Sequence, residues 1–128
     1  MNANNEINDL TYRINGAIFE VSRTLGAGFL EKVYEKALLI ELSERGLKAE
    51  SQAPIMISYK EHSVGEYFAD ILVCDKVIIE LKCVDNLSKF HEAQILNYLK
   101  ATGLQIGILV NFKYPKAEIK RMVFGLKE

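Results

Sequence analysis

Three charged residues, Asp70, Glu80 and Lys82, stand where the surrounding pattern calls for apolar side chains. Glu80 and Lys82 lie two apart in Val77-Ile78-Ile79-Glu80-Leu81-Lys82, so on a strand both leave the same face. The opposite face, Val77, Ile79 and Leu81, is purely apolar. A strand this hydrophobic belongs in the middle of a sheet, where a charge is costly unless it is paired or liganded. Asp70 is equally out of place among Phe68, Ile71 and Leu72 of the preceding segment. Paired carboxylates are hard oxygen ligands suited to Mg²⁺ or Mn²⁺. An ion held that way polarises a phosphodiester and makes a bound water a useful nucleophile. A lysine alongside can orient that water or neutralise charge in the transition state. The alternative is a buried acid–lysine ion pair with structural value only.

Whether the acids can meet depends on register. A two-residue turn at Asp75-Lys76 would set Asp70 opposite Leu81 and point it away from Glu80. A three-residue connection, Cys74-Asp75-Lys76, sets Asp70 directly opposite Glu80, and a bulge would serve as well. The sequence therefore predicts an odd loop or a bulge.

Helical and extended segments to carry these residues can be read from the periodicity. Ile7, Leu10, Ile14, Ala17, Ile18, Val21 and Leu25 recur at helical spacing, and Gly26-Ala27-Gly28 supplies glycine for a left-handed cap. A second helix is expected from Phe29 to Arg45, with Leu30, Val33, Tyr34, Ala37 and Leu38 inward and Gly46 closing it. The period then becomes two. Strands are expected at Ile55–Tyr59 after Pro54, at Tyr67–Val73 and at Lys76–Val84. Ser88 reads as the N-cap of a third helix, with Phe90, Ile95, Tyr98 and Leu99 as its apolar contacts and Gly103 at its end. Ile106–Phe112 reads as a strand buried on both faces. The alternation of Ile119, Arg121 and Val123 tips the tail, Ala117–Leu126, toward a last strand. The order is ααβββαβ(β), an α/β architecture with a mixed sheet flanked by helices.

At 128 residues the chain has the size of one domain, taken as residues 1–128. Its apolar runs are strand-sized, far short of the ~20 residues a bilayer span needs. The first residues lack a signal-peptide pattern. Two cysteines, Cys74 and Cys83, read as buried thiols in a reducing cytoplasm, and without a CxxC pair they do not suggest structural zinc. A net charge of −1 argues against a surface coated for phosphate neutralisation. Lys89, Lys100, Lys113, Lys116, Lys120 and Arg121 crowd the last third, and the plain reading is a solvated face.

Asp70, nine intervening residues and Glu80-x-Lys82 resemble the motif of the PD-(D/E)XK nuclease superfamily, with Ala69 in place of the proline. Gly28-Phe29-Leu30-Glu31-Lys32-Val33-Tyr34 resembles the signature of the small bacterial and archaeal GxxExxY family. The likeness runs from Ile7 to Phe124 and takes in His91-x-x-Gln94-x-x-x-Tyr98 and Leu109-Val110-Asn111-Phe112. It implies a restriction-endonuclease-like fold and a metal-dependent nuclease, acting on DNA ahead of RNA. Asp70, Glu80 and the Leu81 carbonyl would hold Mg²⁺ or Mn²⁺, and Lys82 would serve the reacting water or transition state.

Glu31 borders the apolar stripe of its helix. The resemblance gives it a place in the metal or water shell, and the competing role is that of a first-turn acid favoured by the helix dipole. Gln94 and Tyr98, four apart, resemble the Gln-x-x-x-Tyr motif of the nuclease domains of bacterial recombination helicase–nucleases. There the pair is implied to hold the substrate backbone and the catalytic lysine; plain packing is the alternative. His91, one turn before Gln94, could touch a phosphate but reads as a structural or surface histidine rather than a catalytic one, and Asn111 has no role visible in the sequence. The rival functional reading is a non-catalytic nuclease-fold module that binds nucleic acid or a protein partner. An enzyme of this size could also work as a homodimer or beside a partner protein.

Overall fold

The computed structural model of the protein describes residues 3–125, so Leu126, at the end of the predicted tail strand, lies outside the described residues. The chain runs α1 (Ala3–Leu25), α2 (Glu31–Glu44), β1 (Ala49–Tyr59), β2 (His62–Val73), β3 (Val77–Lys82), α3 (Lys89–Thr102), β4 (Ile106–Asn111) and β5 (Glu118–Val123). The five strands form one sheet in the order β1-β2-β3-β4-β5. All neighbours are antiparallel except β3 and β4, which run parallel through the α3 crossover. This is the predicted mixed α/β sheet, with the tail resolved as a strand.

Each face of the sheet has its own core. Ile14, Ile18, Tyr34 and Leu38 of α1 and α2 pack with Ile71, Val77, Ile79, Leu81 and Val110. Ile95, Tyr98 and Leu99 of α3 pack with Ile55, Ala69, Ile78 and Met122 on the other side. On β3, Ile78 therefore belongs to the α3 side while Val77, Ile79 and Leu81 belong to the α1–α2 side. Period-two alternation sends Glu80 and Lys82 out with Ile78. The strand is central, as its composition requires, and β4 is buried along its whole length.

Local chemistry sets the ends. Ser88 caps α3 by accepting the His91 amide at 3.3 Å, and His91 Nδ1 accepts the Ser88 amide at 3.1 Å, a capping box with histidine as the third member. Gly103 closes the helix at φ +77, the left-handed position glycine takes without strain. Asn111 fastens the end of β4 to the segment that leaves β3: its amide donates to the Val84 carbonyl at 2.8 Å, and its oxygen accepts the Val84 amide at 3.1 Å. Ser22 of α1 ties the approach to β5, donating to the Pro115 carbonyl and accepting the Ala117 amide, both at 2.9 Å.

Several expectations need correction. β1 begins at Ala49 and β2 at His62, well before Ile55 and Tyr67, because a two-residue turn at Lys60-Glu61 extends their hairpin. Both turn residues have positive φ, as a tight hairpin turn demands, yet neither is the Asn or Gly that would advertise it. Pro54 lies within β1, which is tolerated because β1 is an edge strand. Helix α2 starts at Glu31, and Leu30 and Val33 face outward. Tyr34, Leu38 and Leu42 fill the inward stripe together with Glu35, an acid. Phe90 also points to solvent. Cys74 and Cys83 are free and half-buried rather than fully buried.

Candidate active site

The connection between β2 and β3 is the three-residue one, Cys74-Asp75-Lys76, with Val73 paired to Val77. Cys74 and Asp75 turn the chain with φ of 52° and 58°. Pairing continues through Leu72–Ile78 to Ile71–Ile79 and there stops. Asp70 and Glu80 are the next pair in this register, so both acids leave one face.

Beyond Ile71 the two strands part, and the carboxylates take over the bonding. The Asp70 amide donates to Glu80 Oε1 at 3.3 Å, and the Leu81 amide donates to Asp70 Oδ2 at 2.8 Å. The ladder to β1 is interrupted at the same level. Ser51 pairs with Ile71 and Ala53 with Ala69, but Gln52, which faces Asp70, is left out and sits at φ +52. Asp70 thus occupies a break in both of its neighbours' ladders. On β3, the Lys82 carbonyl accepts the Phe112 amide across to β4. Because the amide and carbonyl of one strand residue point the same way and alternate along the strand, the Leu81 carbonyl points toward β2, the side of Asp70.

Glu80 is only 6% exposed. Burial, and then the Asp70 carboxylate beside it, pushes its pKa up to about 9 against the weaker pull of Lys82. Two acids that cannot both ionise comfortably are arranged to receive a cation. Among the described residues no group of three or more His, Cys, Asp or Glu side chains converges as a metal site. An ion between Asp70 and Glu80 would draw its other ligands from the Leu81 carbonyl, water and substrate, the habit of Mg²⁺ rather than of an all-protein cage.

Glu31 opens α2 and lies near enough to feel the site. Its pKa is raised by burial and then by Asp70, with Lys82 opposing. It lines a cavity of about 550 Å³ with Gly28, Cys83, Phe112 and Lys113. The preceding loop is held by Tyr34, whose hydroxyl donates to the Gly26 carbonyl at 2.6 Å and accepts the Phe29 amide at 3.2 Å. Its ring stacks on Phe112 at 4.7 Å. Tyr34 thereby fixes where Glu31 begins.

Gln94 and Tyr98 approach from α3. Tyr98 is buried, and its hydroxyl pKa is raised by burial and then by Glu80 and Asp70, with Gln94 opposing. Asp70, Glu80, Lys82, Glu31 and Tyr98 thus lie close enough around the parting of β2 and β3 to feel one another's charge, with Gln94 one helical turn from Tyr98. His91 does not take part beyond its cap.

Glu35, hidden from the sequence reading, is the surprise of the region. It is 5% exposed and accepts bonds from Gln52 Nε2 at 3.1 Å, Lys32 Nζ at 3.2 Å and Ser51 Oγ at 3.3 Å. It pins the irregular stretch of β1 that faces Asp70. The signal was available: Glu35 interrupts the Leu38–Leu42 stripe as Asp70 and Glu80 interrupt theirs.

Among the described residues, most basic side chains of the lysine-rich last third are engaged with neighbours. Lys89 and Lys120 pair with Glu92 and Lys113 pairs with Asp85. Arg121 bonds Asn8, and Lys116 lies over the Phe19 ring.

A mixed sheet whose central antiparallel pair opens around two acids, with a lysine two residues on, defines the restriction-endonuclease-like α/β class. The family model of the PD-(D/E)XK nuclease superfamily matches residues 8–122, and the chain belongs to that superfamily. Among solved structures, an alkaline exonuclease from Laribacter hongkongensis is similar at 14% identity and a TM-score of 0.48, over 83% of this chain and 75% of that one. No curated protein matches the chain. No helix among the described residues is long and apolar enough to cross a membrane.

Proposed function

We propose that this protein is a cytoplasmic nuclease of the GxxExxY type, one domain that hydrolyses phosphodiester bonds of nucleic acid, DNA ahead of RNA, with Mg²⁺ or Mn²⁺. The observation that carries the reading is Glu80, a buried acid on a central strand, held against Asp70 with Lys82 beside it. Superfamily membership supports it, since these nucleases typically use divalent metals. Asp70, Glu80 and the Leu81 carbonyl would hold the ion. When bound, it would polarise the phosphodiester and acidify the attacking water.

The chain's own residues do the rest. Lys82 places positive charge where the phosphoryl oxygens gain negative charge. Gln94 and Tyr98 position the backbone of the substrate, and Glu31 accepts hydrogen bonds from water entering the site. The burial of Glu80 keeps the acid pair from dispersing into solvent.

A second reading is a non-catalytic module that binds nucleic acid or a protein. The net charge of −1 and the pairing of the lysines with local acids favour it. The same features suit an enzyme that borrows phosphate contacts from a second copy or from a partner protein.

The test is incubation of purified protein with single- and double-stranded DNA and RNA in Mn²⁺, Mg²⁺ or chelator, beside Asp70→Ala and Lys82→Ala. Cleavage that needs the ion and both side chains is expected. Cleavage that survives both substitutions, or no cleavage in any ion, would overturn the reading.

A further inference from the structure

The hairpin of β1 and β2 and one face of α3 enclose a groove of about 720 Å³ lined in part by Gln94 and Tyr98. Its walls carry large aromatic side chains open to solvent: Phe90 is 75% exposed and Tyr67 51%. The Tyr67 and Tyr98 rings stand 5.9 Å apart in a tilted pair. Among the lining residues Lys100 is the only charged one, and no carboxylate faces the groove. Exposed apolar side chains concentrated in one concavity mark a binding surface. Tyr98 lines this groove and also feels the charges of Glu80 and Asp70, so the groove and the acids have one side chain in common.

We infer that this groove binds an unpaired nucleic-acid strand by stacking its bases on Tyr67 and Phe90. The inference rests on the nuclease reading, because the strand is taken to continue to Asp70 and Glu80. In a duplex the bases are stacked on one another and closed to side chains, whereas an unpaired strand presents free faces that aromatic rings accept regardless of sequence. Lys100 answers the phosphate charge. Asn97 and Gln94 offer amide donors and acceptors to base edges. A duplex would hide its base faces from these walls and present mainly its phosphates, and the walls carry a single cation to meet them.

Fluorescence anisotropy in chelator, which prevents turnover, tests the inference. The probe is a short labelled oligothymidylate, compared with a duplex and an abasic strand of equal length. Wild type, Tyr67→Ala and Phe90→Ala are titrated, with circular dichroism confirming the fold; both side chains are exposed, so both variants should fold. Tighter binding of the oligothymidylate than of either comparison strand is expected, with Kd raised roughly 5- to 100-fold for each ring removed. Equal affinity for the abasic strand or the duplex, or unchanged Kd in both variants, would overturn it. Cleavage assays separate the two readings. Duplex cleavage with no response to Tyr67 or Phe90 retains the nuclease and removes the groove. Base-dependent binding without cleavage in any ion retains the groove and removes the nuclease.

Discussion

Asp70 and Glu80 are joined through the backbone as well as by position: the amide of Asp70 donates to the carboxylate of Glu80 at 3.3 Å, while the carboxylate of Asp70 holds the amide of Leu81 at 2.8 Å. Each acid does part of the work of the ladder that ends beside it. A single substitution can therefore separate charge from hydrogen bonding.

Asp70→Asn keeps an oxygen for the Leu81 amide and removes a negative charge next to buried Glu80. Melting temperature should be unchanged or higher, while metal-dependent cleavage falls about 100-fold or more. Scanning calorimetry and a cleavage time course check the two halves.

Glu80 makes the metal-free protein sensitive to alkali. Its pKa is raised to about 9 by burial and by Asp70, above the ~4.3 of an unfolded glutamate. Between those values the folded state binds the extra proton, so stability falls as pH rises across the window. Below it, this residue contributes no slope. Thermal melts in chelator should show lower stability at pH 8 than at pH 5.5, and Glu80→Gln should flatten the difference.

Glu35→Ala leaves Gln52, Ser51 and Lys32 without their shared acceptor. A cost of about 1–3 kcal/mol is expected in urea denaturation, with a smaller loss for Glu35→Gln, which keeps an acceptor oxygen.

Gly107→Ala would bring a methyl group to 2.7 Å from Cδ1 and 2.9 Å from Cγ1 of buried Ile95. Overpacking of this kind costs about 1–3 kcal/mol. The strain falls on α3, which carries Gln94 and Tyr98, so stability and cleavage should decline together, and Gly107→Ala with Ile95→Ala, which removes both clashing atoms, should cost less than the two single substitutions added together.

What the sequence displayed was governed by short-range rules. The three-residue connection at Cys74-Asp75-Lys76 followed from requiring two charges to share a face, and Ser88 and Gly103 mark α3 because capping is local chemistry. The tail strand was legible from alternation. The length of the β1–β2 hairpin was not, because Lys60-Glu61 forms its turn without a turn-forming residue. Leu30, Val33 and Phe90 were assigned inward on hydrophobicity alone, yet Tyr34 and Leu38 take the available interior. Glu35 stands out as an acid beside an apolar helical stripe, but its partner Gln52 gains its meaning only in three dimensions, where a helix and an irregular edge strand meet beside Asp70.

The tie from Ser22 to Pro115 and Ala117 spans 93 and 95 residues of chain. Helix α1 can form as soon as it is synthesised, but these polar partners emerge from the ribosome only after α2, α3 and the first four strands. Contacts this distant carry a loop-closure cost before they return any stability, and they slow folding. Until β5 arrives, the apolar stripe of α1 lacks its fastening and remains open to association with other chains. The nascent domain should therefore be most vulnerable late in translation, and acquire protease resistance abruptly rather than helix by helix.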